Sequence, residues 1–227
     1  VLTADSDQPL LGLANQLQAA NPAPFASYLK LPGIEIASAS PELFLEKKAA
    51  VIKSTPIKGT AKSDNFGEKD RAENVMIVDL MRNDFGSICK PGSVDVPRLL
   101  ASEAHPGLFH LVSDVVGSLR EDVKWEQITS ALLPAGSISG APKLSAIKSI
   151  KEIEKVERGP YCGVIGWVEG DQALLSVGIR IFWSKEDGKI NFGTGAGITW
   201  QSDPRGEWDE TELKANRLIS IASGVLV

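Results

Sequence analysis

The sequence has only two cysteines, Cys89 and Cys162, and they stand far apart. That excludes a disulfide-stapled fold and reads as two reduced thiols of a cytoplasmic protein. No apolar stretch approaches the ~20 residues that cross a bilayer as a helix, so no membrane is expected as a partner. Lys and Arg form no basic stripe. The 24 basic and 29 acidic residues are mixed along the chain and leave a formal net charge of −5, which argues against nucleic acid as a partner. The two histidines, His105 and His110, lack metal-ligand spacing. Repeats, low-complexity tracts and linkers are absent as well. The amino terminus carries neither Met nor a signal-peptide pattern, and Val1-Leu2-Thr3 reads as a chain entered partway through. What is there is 227 residues, 43% hydrophobic and 23% charged, enough to bury a core without staples.

Hydrophobic periodicity divides the chain into blocks. Asp7 is read as the N-cap of a helix with Pro9 in its first turn; Leu10, Leu13, Ala14 and Leu17 recur at helical spacing until Asn21-Pro22. Strands are expected over 26–31, 34–37 and 43–46, broken by Pro32-Gly33 and Ser40-Pro41. Pro56-Ile-Lys-Gly-Thr60 reads as a tight turn, followed by a helix from Glu68 to Arg82. Leu108 to Leu119, rich in Val, reads as a strand, and Trp125 to Leu133 as a helix. Pro134 to Lys143 is a Gly/Ser loop opening a helix at Pro142, with Leu144, Ile147, Ile150 and Ile153 on one side. Strands over 161–168, 173–183 and 189–192 are joined by hairpins at Gly170-Asp171 and Asp187-Gly188, and a helix from Pro204 to Ala222 stops at Gly224. Blocks of helices and hairpins, rather than regular βαβ units, predict an α+β fold.

Carboxylates recur in pairs. Asp70 and Glu73 are three apart and share a helix face; Glu207 and Glu210 repeat the spacing, with Lys214 one turn further on. Two such pairs suit a hard cation such as Mg²⁺, which takes oxygen ligands, although acidic pairs also decorate exposed helix faces. Lys58, between Pro56 and Gly59, is either a surface lysine or a nucleophile with a lowered pKa; Glu42, in Ser40-Pro-Glu-Leu-Phe44, is by itself an ordinary glutamate. Gly193-Thr-Gly-Ala-Gly197 follows a strand but opens no helix, so it is not the dinucleotide fingerprint. Its N–H groups nevertheless suit a carboxylate or phosphate. Arg180, in an apolar strand near that loop, points the same way.

Taken together, these segments resemble the chorismate-binding family, which includes the anthranilate, aminodeoxychorismate, isochorismate and salicylate synthases. The matching strings run in order from Ser40 to Lys214 and are long: Ser40-Pro-Glu-Leu-Phe44, Pro56-Ile-Lys-Gly-Thr60, Lys69 to Asp84, His110-Leu-Val-Ser113, Gly136-Ser-Ile-Ser-Gly-Ala-Pro-Lys143, Gly195-Ala-Gly197 and Glu207-Trp-Asp-Glu-Thr211. The resemblance implies a layered αββα sandwich of mainly antiparallel sheets, with residues 1–227 as one catalytic domain that lacks an amino-terminal portion. It implies Mg²⁺, with Glu73 and Glu210 as direct ligands and Asp70 and Glu207 holding the metal's waters. It assigns Arg180, Tyr161 and the N–H groups of Gly195, Ala196 and Gly197 to a substrate carboxylate. His110 is placed near the departing C4 hydroxyl, and Ser139 and Lys214 are further pocket residues.

Lys58 separates the branches. The anthranilate synthases carry alanine at this turn; lysine resembles the aminodeoxychorismate synthases, in which it attacks chorismate while a glutamate, here Glu42, acts as general acid. A separate glutaminase subunit would supply ammonia, since no glutaminase nucleophile motif is present. Ala61 to Gly67 is shorter than in many relatives and lacks their arginine, which bears on a lid over the pocket. The alternatives are formation of anthranilate, isochorismate or salicylate, and a fragment that binds chorismate or Mg²⁺ without turnover.

Overall fold

The computed structural model describes residues 1–61, 63–105 and 108–226. Lys62, within the shortened loop, lies outside the described residues. In chain order the elements are β1 (Leu2–Asp5), α1 (Leu10–Ala20), β2 (Phe25–Leu31), β3 (Ile34–Ser40), β4 (Leu43–Lys48), β5 (Val51–Thr55) and β6 (Ile57–Ala61). There follow α2 (Glu68–Ile88), β7 (Asp95–His105), β8 (Leu108–Ser118), α3 (Trp125–Leu132), α4 (Gly136–Ser139) and α5 (Lys143–Ile153). The last part holds β9 (Val164–Glu169), β10 (Gln172–Val177), β11 (Ile181–Ser184), β12 (Lys189–Gly193) and α6 (Pro204–Leu226). The fold is α+β, as expected. The chain forms two compact units, one of Val1–Pro41, Val156–Ile165 and the residues from Ser176 onward, the other of Glu42–Lys155 and Gly166–Leu175.

The first unit lays α1 and α6 on a five-stranded sheet of order β1-β12-β11-β3-β2. Strand alternation sorts its side chains. Ala37, Ala39, Phe182, Ile190 and Phe192 pack with Leu10, Leu13 and Leu17 of α1 and with Ala215, Leu218 and Ala222 of α6, while Ile36, Ile181 and Trp183 join Ile165 in a second cluster. Phe182 and Phe192, directly paired across β11 and β12, stack with centroids 4.6 Å apart. Asp7 does not cap α1. Its amino end is held from β3 instead: Glu35 accepts the Leu10 N–H at 2.9 Å and also the Tyr28 hydroxyl. Burial opposes ionisation of Glu35, but these hydrogen bonds outweigh it and hold the carboxyl below its ordinary range. A carboxylate at a helix amino end is also favoured by the helix dipole.

In the second unit α2 lies on a seven-stranded sheet organised around β8. One edge of β8 pairs with β6 and then β5 in succession, and the other with β7. The segment read as a turn is therefore strand β6, with Pro56 joining β5 to it and accepting the Ser113 N–H. Helix α2 continues six residues beyond the expected end, because Phe85 and Ile88 extend its buried face of Asn74, Ile77 and Val78. Gly117 makes room for that face: a Cβ there would lie 2.6 Å from Cys89 Sγ.

The expected strand 173–183 divides into β10 and β11, which belong to different sheets, with Arg180 at φ 51 in the break. Helix α6 runs through Gly224 rather than stopping there. The loop 134–142 contains the short turn α4. The apolar side expected of α5 is not buried, with Leu144 77% and Ile153 75% exposed. No helix among the described residues is long and apolar enough to cross a membrane.

The seat of α2 on β8 is polar at one point. Buried Asn74 donates to the Leu111 carbonyl at 3.1 Å and accepts from Ser113 Oγ at 2.5 Å; Ser113 Oγ in turn accepts the Leu100 N–H at 3.0 Å. Removing the amide strands two buried partners. Asn74→Ala should therefore lower the unfolding free energy in urea by about 2–4 kcal/mol; a loss below ~0.5 kcal/mol would show that water or relaxation satisfies them.

Candidate functional site

Glu42 stands immediately before β4 and is buried, 5% exposed. Burial pushes its carboxyl up to about 7, although a hydrogen bond with the Ser137 side chain, the Lys58 charge and the Ile57 N–H all act to lower it. Lys58 reaches this place through a β-bulge. Ile57 pairs with Val112 but Thr60 with His110, so β6 spends one residue more than β8 between the two pairs. Gly59 takes the positive φ of 88° that the bulge requires, and a Cβ there would also lie 3.0 Å from Asp70 Cβ. Lys58 Nζ donates to the Ser137 carbonyl at 2.8 Å. The acid and the lysine expected from sequence are thus brought together, and Ser137 holds both.

Ser137 escaped the sequence reading, which singled out Ser139 in the same Gly136-Ser-Ile-Ser139 run. Ser139 is buried and its hydroxyl is used within its own turn, toward the carbonyls of Ala135 at 3.2 Å and Gly140 at 3.3 Å. Residues two apart in a helical turn point to different sides, so the Ser137 hydroxyl can meet Glu42 while that of Ser139 cannot; Lys58 is held by the Ser137 carbonyl. The motif marked the loop, and only the tertiary structure shows which hydroxyl is used. His110 is buried on β8, in register with Thr60 of β6 and Glu103 of β7. Since Ser113 faces α2, strand alternation turns His110 to the opposite face of the sheet.

The first acidic pair is divided in its local work. Asp70 accepts the Gly67 N–H at 3.2 Å and caps α2; Glu73 is half-buried, 3.8 Å from Lys69. The second pair lies in the first unit. Glu207 is buried and accepts from Ser202 Oγ at 2.5 Å, whereas Glu210 is exposed and paired with Lys214 at 2.5 Å. All four supply the hard oxygen donors that suit Mg²⁺, and a buried carboxylate such as Glu207 favours a cation nearby. Among the described residues no group of three or more His, Cys, Asp and Glu side chains is gathered closely enough to hold a metal ion.

The first unit also carries the candidate anion-binding groups. Tyr161, in the turn before β9, lays its ring against Gly193, where a Cβ would fall 2.1 Å from the ring; its hydroxyl lies beside Gly195. Glycine at 193 is therefore what lets the ring reach the 195–197 loop. Gly195 and Ala196 are half-buried and Gly197 is exposed. Arg180 is half-buried. Burial, then the neighbouring Arg217 charge, lowers its pKa from the ordinary arginine value. Among the described residues its guanidinium forms no ion pair, so its charge is available to an anion.

Comparison with known proteins bears on this arrangement. Anthranilate synthase component 1 of Saccharolobus solfataricus is 37% identical over 217 residues, 89% of this chain and 51% of its own length. Aminodeoxychorismate synthase component 1 of Salmonella typhimurium is 38% identical over 218 residues, 90% of this chain and 48% of its own. The crystal structure of anthranilate synthase component I from Streptococcus pneumoniae TIGR4 superimposes with a TM-score of 0.86 at 31% identity, over 95% of this chain and 51% of that one. The chain spans about half the length of the curated relatives it matches. The profile of the chorismate binding enzymes matches residues 1–220, nearly the whole chain and every candidate residue described above, so the chain belongs to the chorismate-binding enzyme family.

Proposed function

We propose that residues 1–227 form the catalytic domain of an aminodeoxychorismate synthase component 1, converting chorismate and ammonia to 4-amino-4-deoxychorismate for p-aminobenzoate and folate synthesis in the cytoplasm. One observation carries the reading: a buried carboxyl that keeps its proton up to about pH 7 adjoins a lysine, and Ser137 contacts both. The Lys58 amine attacks ring carbon C2, the diene electrons shift, and the C4–O bond breaks. Glu42 gives its proton to the departing oxygen, which leaves as water, since hydroxide alone is a poor leaving group. Ammonia then adds at C4, the diene shifts back, and the C2–N bond breaks to release Lys58. The Glu42 carboxylate takes the surplus proton from the new amine. Two allylic displacements replace one difficult direct substitution.

The dianionic substrate must be held in an acidic protein. Arg180, Tyr161 and the N–H groups of Gly195, Ala196 and Gly197 bind its enolpyruvyl carboxylate. His110 serves at the C4 hydroxyl, and Ser139 and Lys214 are further candidates for substrate binding. Each acidic pair, Asp70 with Glu73 and Glu207 with Glu210, would offer oxygen donors to Mg²⁺. When bound, the ion offsets the charge of the ring carboxylate. The relatives' designation as component 1 supports a second subunit, here a glutaminase that supplies ammonia; free ammonium should substitute in vitro. A second reading, anthranilate formation, draws on the anthranilate synthases among the relatives. Lys58 favours amination at C4.

The two readings separate on incubation of the chain with chorismate, Mg²⁺ and ammonium, with products resolved by chromatography and the protein weighed by mass spectrometry. The expected result is 4-amino-4-deoxychorismate and a chorismate-derived adduct that disappears in Lys58→Ala. Anthranilate would transfer the chain to the other branch; no product from a folded sample would overturn turnover by residues 1–227 alone. Glu207→Gln should raise the Mg²⁺ needed for half-maximal rate by roughly 10–100-fold, and an unchanged requirement would remove Glu207 from the ion's surroundings.

Glu42 also couples stability to pH. Its folded value of about 7 lies above the ordinary 4.5, so the native state holds a proton that the unfolded chain has released. The associated stability is fully present below pH 4.5 and is lost as pH rises through about 7. Between pH 5 and 8 the wild-type protein should lose up to about 3 kcal/mol relative to Glu42→Gln in urea unfolding; parallel pH profiles would show that Glu42 titrates normally.

A further inference from the structure

The loop between α3 and α5 is closed by its own lysine. Lys143, the first residue of α5, donates through Nζ toward the carbonyls of Ala131 at 3.4 Å and Leu132 at 3.3 Å, the last residues of α3, and pairs with Asp84 Oδ2 of α2 at 2.7 Å. The two charged side chains are only 14% and 13% exposed. Both ends of the loop are thus tied to each other and to α2. Between them Gly136 lies on Leu80 of α2, where a Cβ would come within 2.8 Å of Leu80 Cδ2. The next residue is Ser137, which meets Lys58 and Glu42.

A buried ion pair adds little net stability, because the cost of desolvating two charges nearly cancels their attraction; apolar residues of similar volume often serve as well. What such a pair does impose is direction. Here it joins one carboxylate to one ammonium whose remaining protons point at two defined carbonyls. We infer that Asp84 and Lys143 are positioning residues, a staple that fixes loop 133–142 so that Ser137 holds Glu42 and Lys58 together for the reaction proposed above, on which the inference rests. Neither residue touches the reacting atoms. They act through Ser137, and without them the loop retains its apolar seat on α2 but not its register over β6.

The test reads Glu42 directly and needs no chorismate, so it stands apart from the outcome of the activity assay. Glu42 faces Lys58, the Ser137 hydroxyl and the Ile57 N–H; loss of the Ser137 bond removes a donor to the ionised form and raises the pKa. The carboxyl titration is followed by NMR of protein carrying ¹³C-labelled glutamate and assigned by its absence in Glu42→Gln. In Asp84→Leu/Lys143→Met, which replaces the pair with apolar side chains, the expected result is a folded protein whose Glu42 titrates above the wild-type value, shifted in the same direction as in Ser137→Ala. A folded double variant with an unchanged Glu42 titration would overturn the inference. If the double variant does not fold, Asp84→Asn takes its place with the same reading and the same two outcomes. In the aminating assay the staple variants should lose kcat with little change in KM; a loss confined to KM would also count against the role.

Discussion

The arrangement depends on the desolvation of one carboxyl group. Water stabilises an ionised carboxylate so strongly that burial favours the neutral acid unless charge and hydrogen bonds replace the solvent. At Glu42 the replacement is partial: a serine hydroxyl, a backbone N–H and a lysine are present, yet burial prevails. A proton is therefore retained near neutrality at a group able to donate it. Three separate pieces of the second unit have to meet for this, namely the chain just before β4, the bulge of β6 and the loop carrying α4. Each is held by its own device: β4 by the sheet, the bulge by the positive φ of Gly59, and the loop by the Asp84–Lys143 pair.

In the first unit the same principle acts with opposite sign. Arg180 is a cation withdrawn from water and set near a second guanidinium, so its charge is under-compensated, and an anion is what would offset it. Close packing places the neighbouring donors. Because residue 193 has no side chain, the Tyr161 ring occupies that space and brings its hydroxyl to the glycine loop. Incomplete compensation on burial thus marks an acid in the second unit and a cation in the first, each by itself a candidate functional group.

Local sequence determined much of this molecule. Alternation of apolar residues located β2, β3, β4 and β8, and the 3.6-residue period located α1, α2, α3 and α6, because those signals depend only on which face of an element is buried. The motif strings also marked the family and the positions of Glu42 and Lys58, since their residue types and order survive without coordinates. Tertiary structure alone decided what depends on partners distant in the chain. Pro56 to Ala61 looks like a turn by composition and becomes a strand because β8 offers an edge. Residues 173–183 look like one strand and become two because Arg180 turns the chain into another sheet. The amino end of α1 is capped by Glu35, 25 residues away, rather than by Asp7 beside it. Ser137 rather than Ser139 meets the lysine. In each case propensity is a preference of a few tenths to about one kcal/mol per residue, and a partner brought in by the fold overrides it.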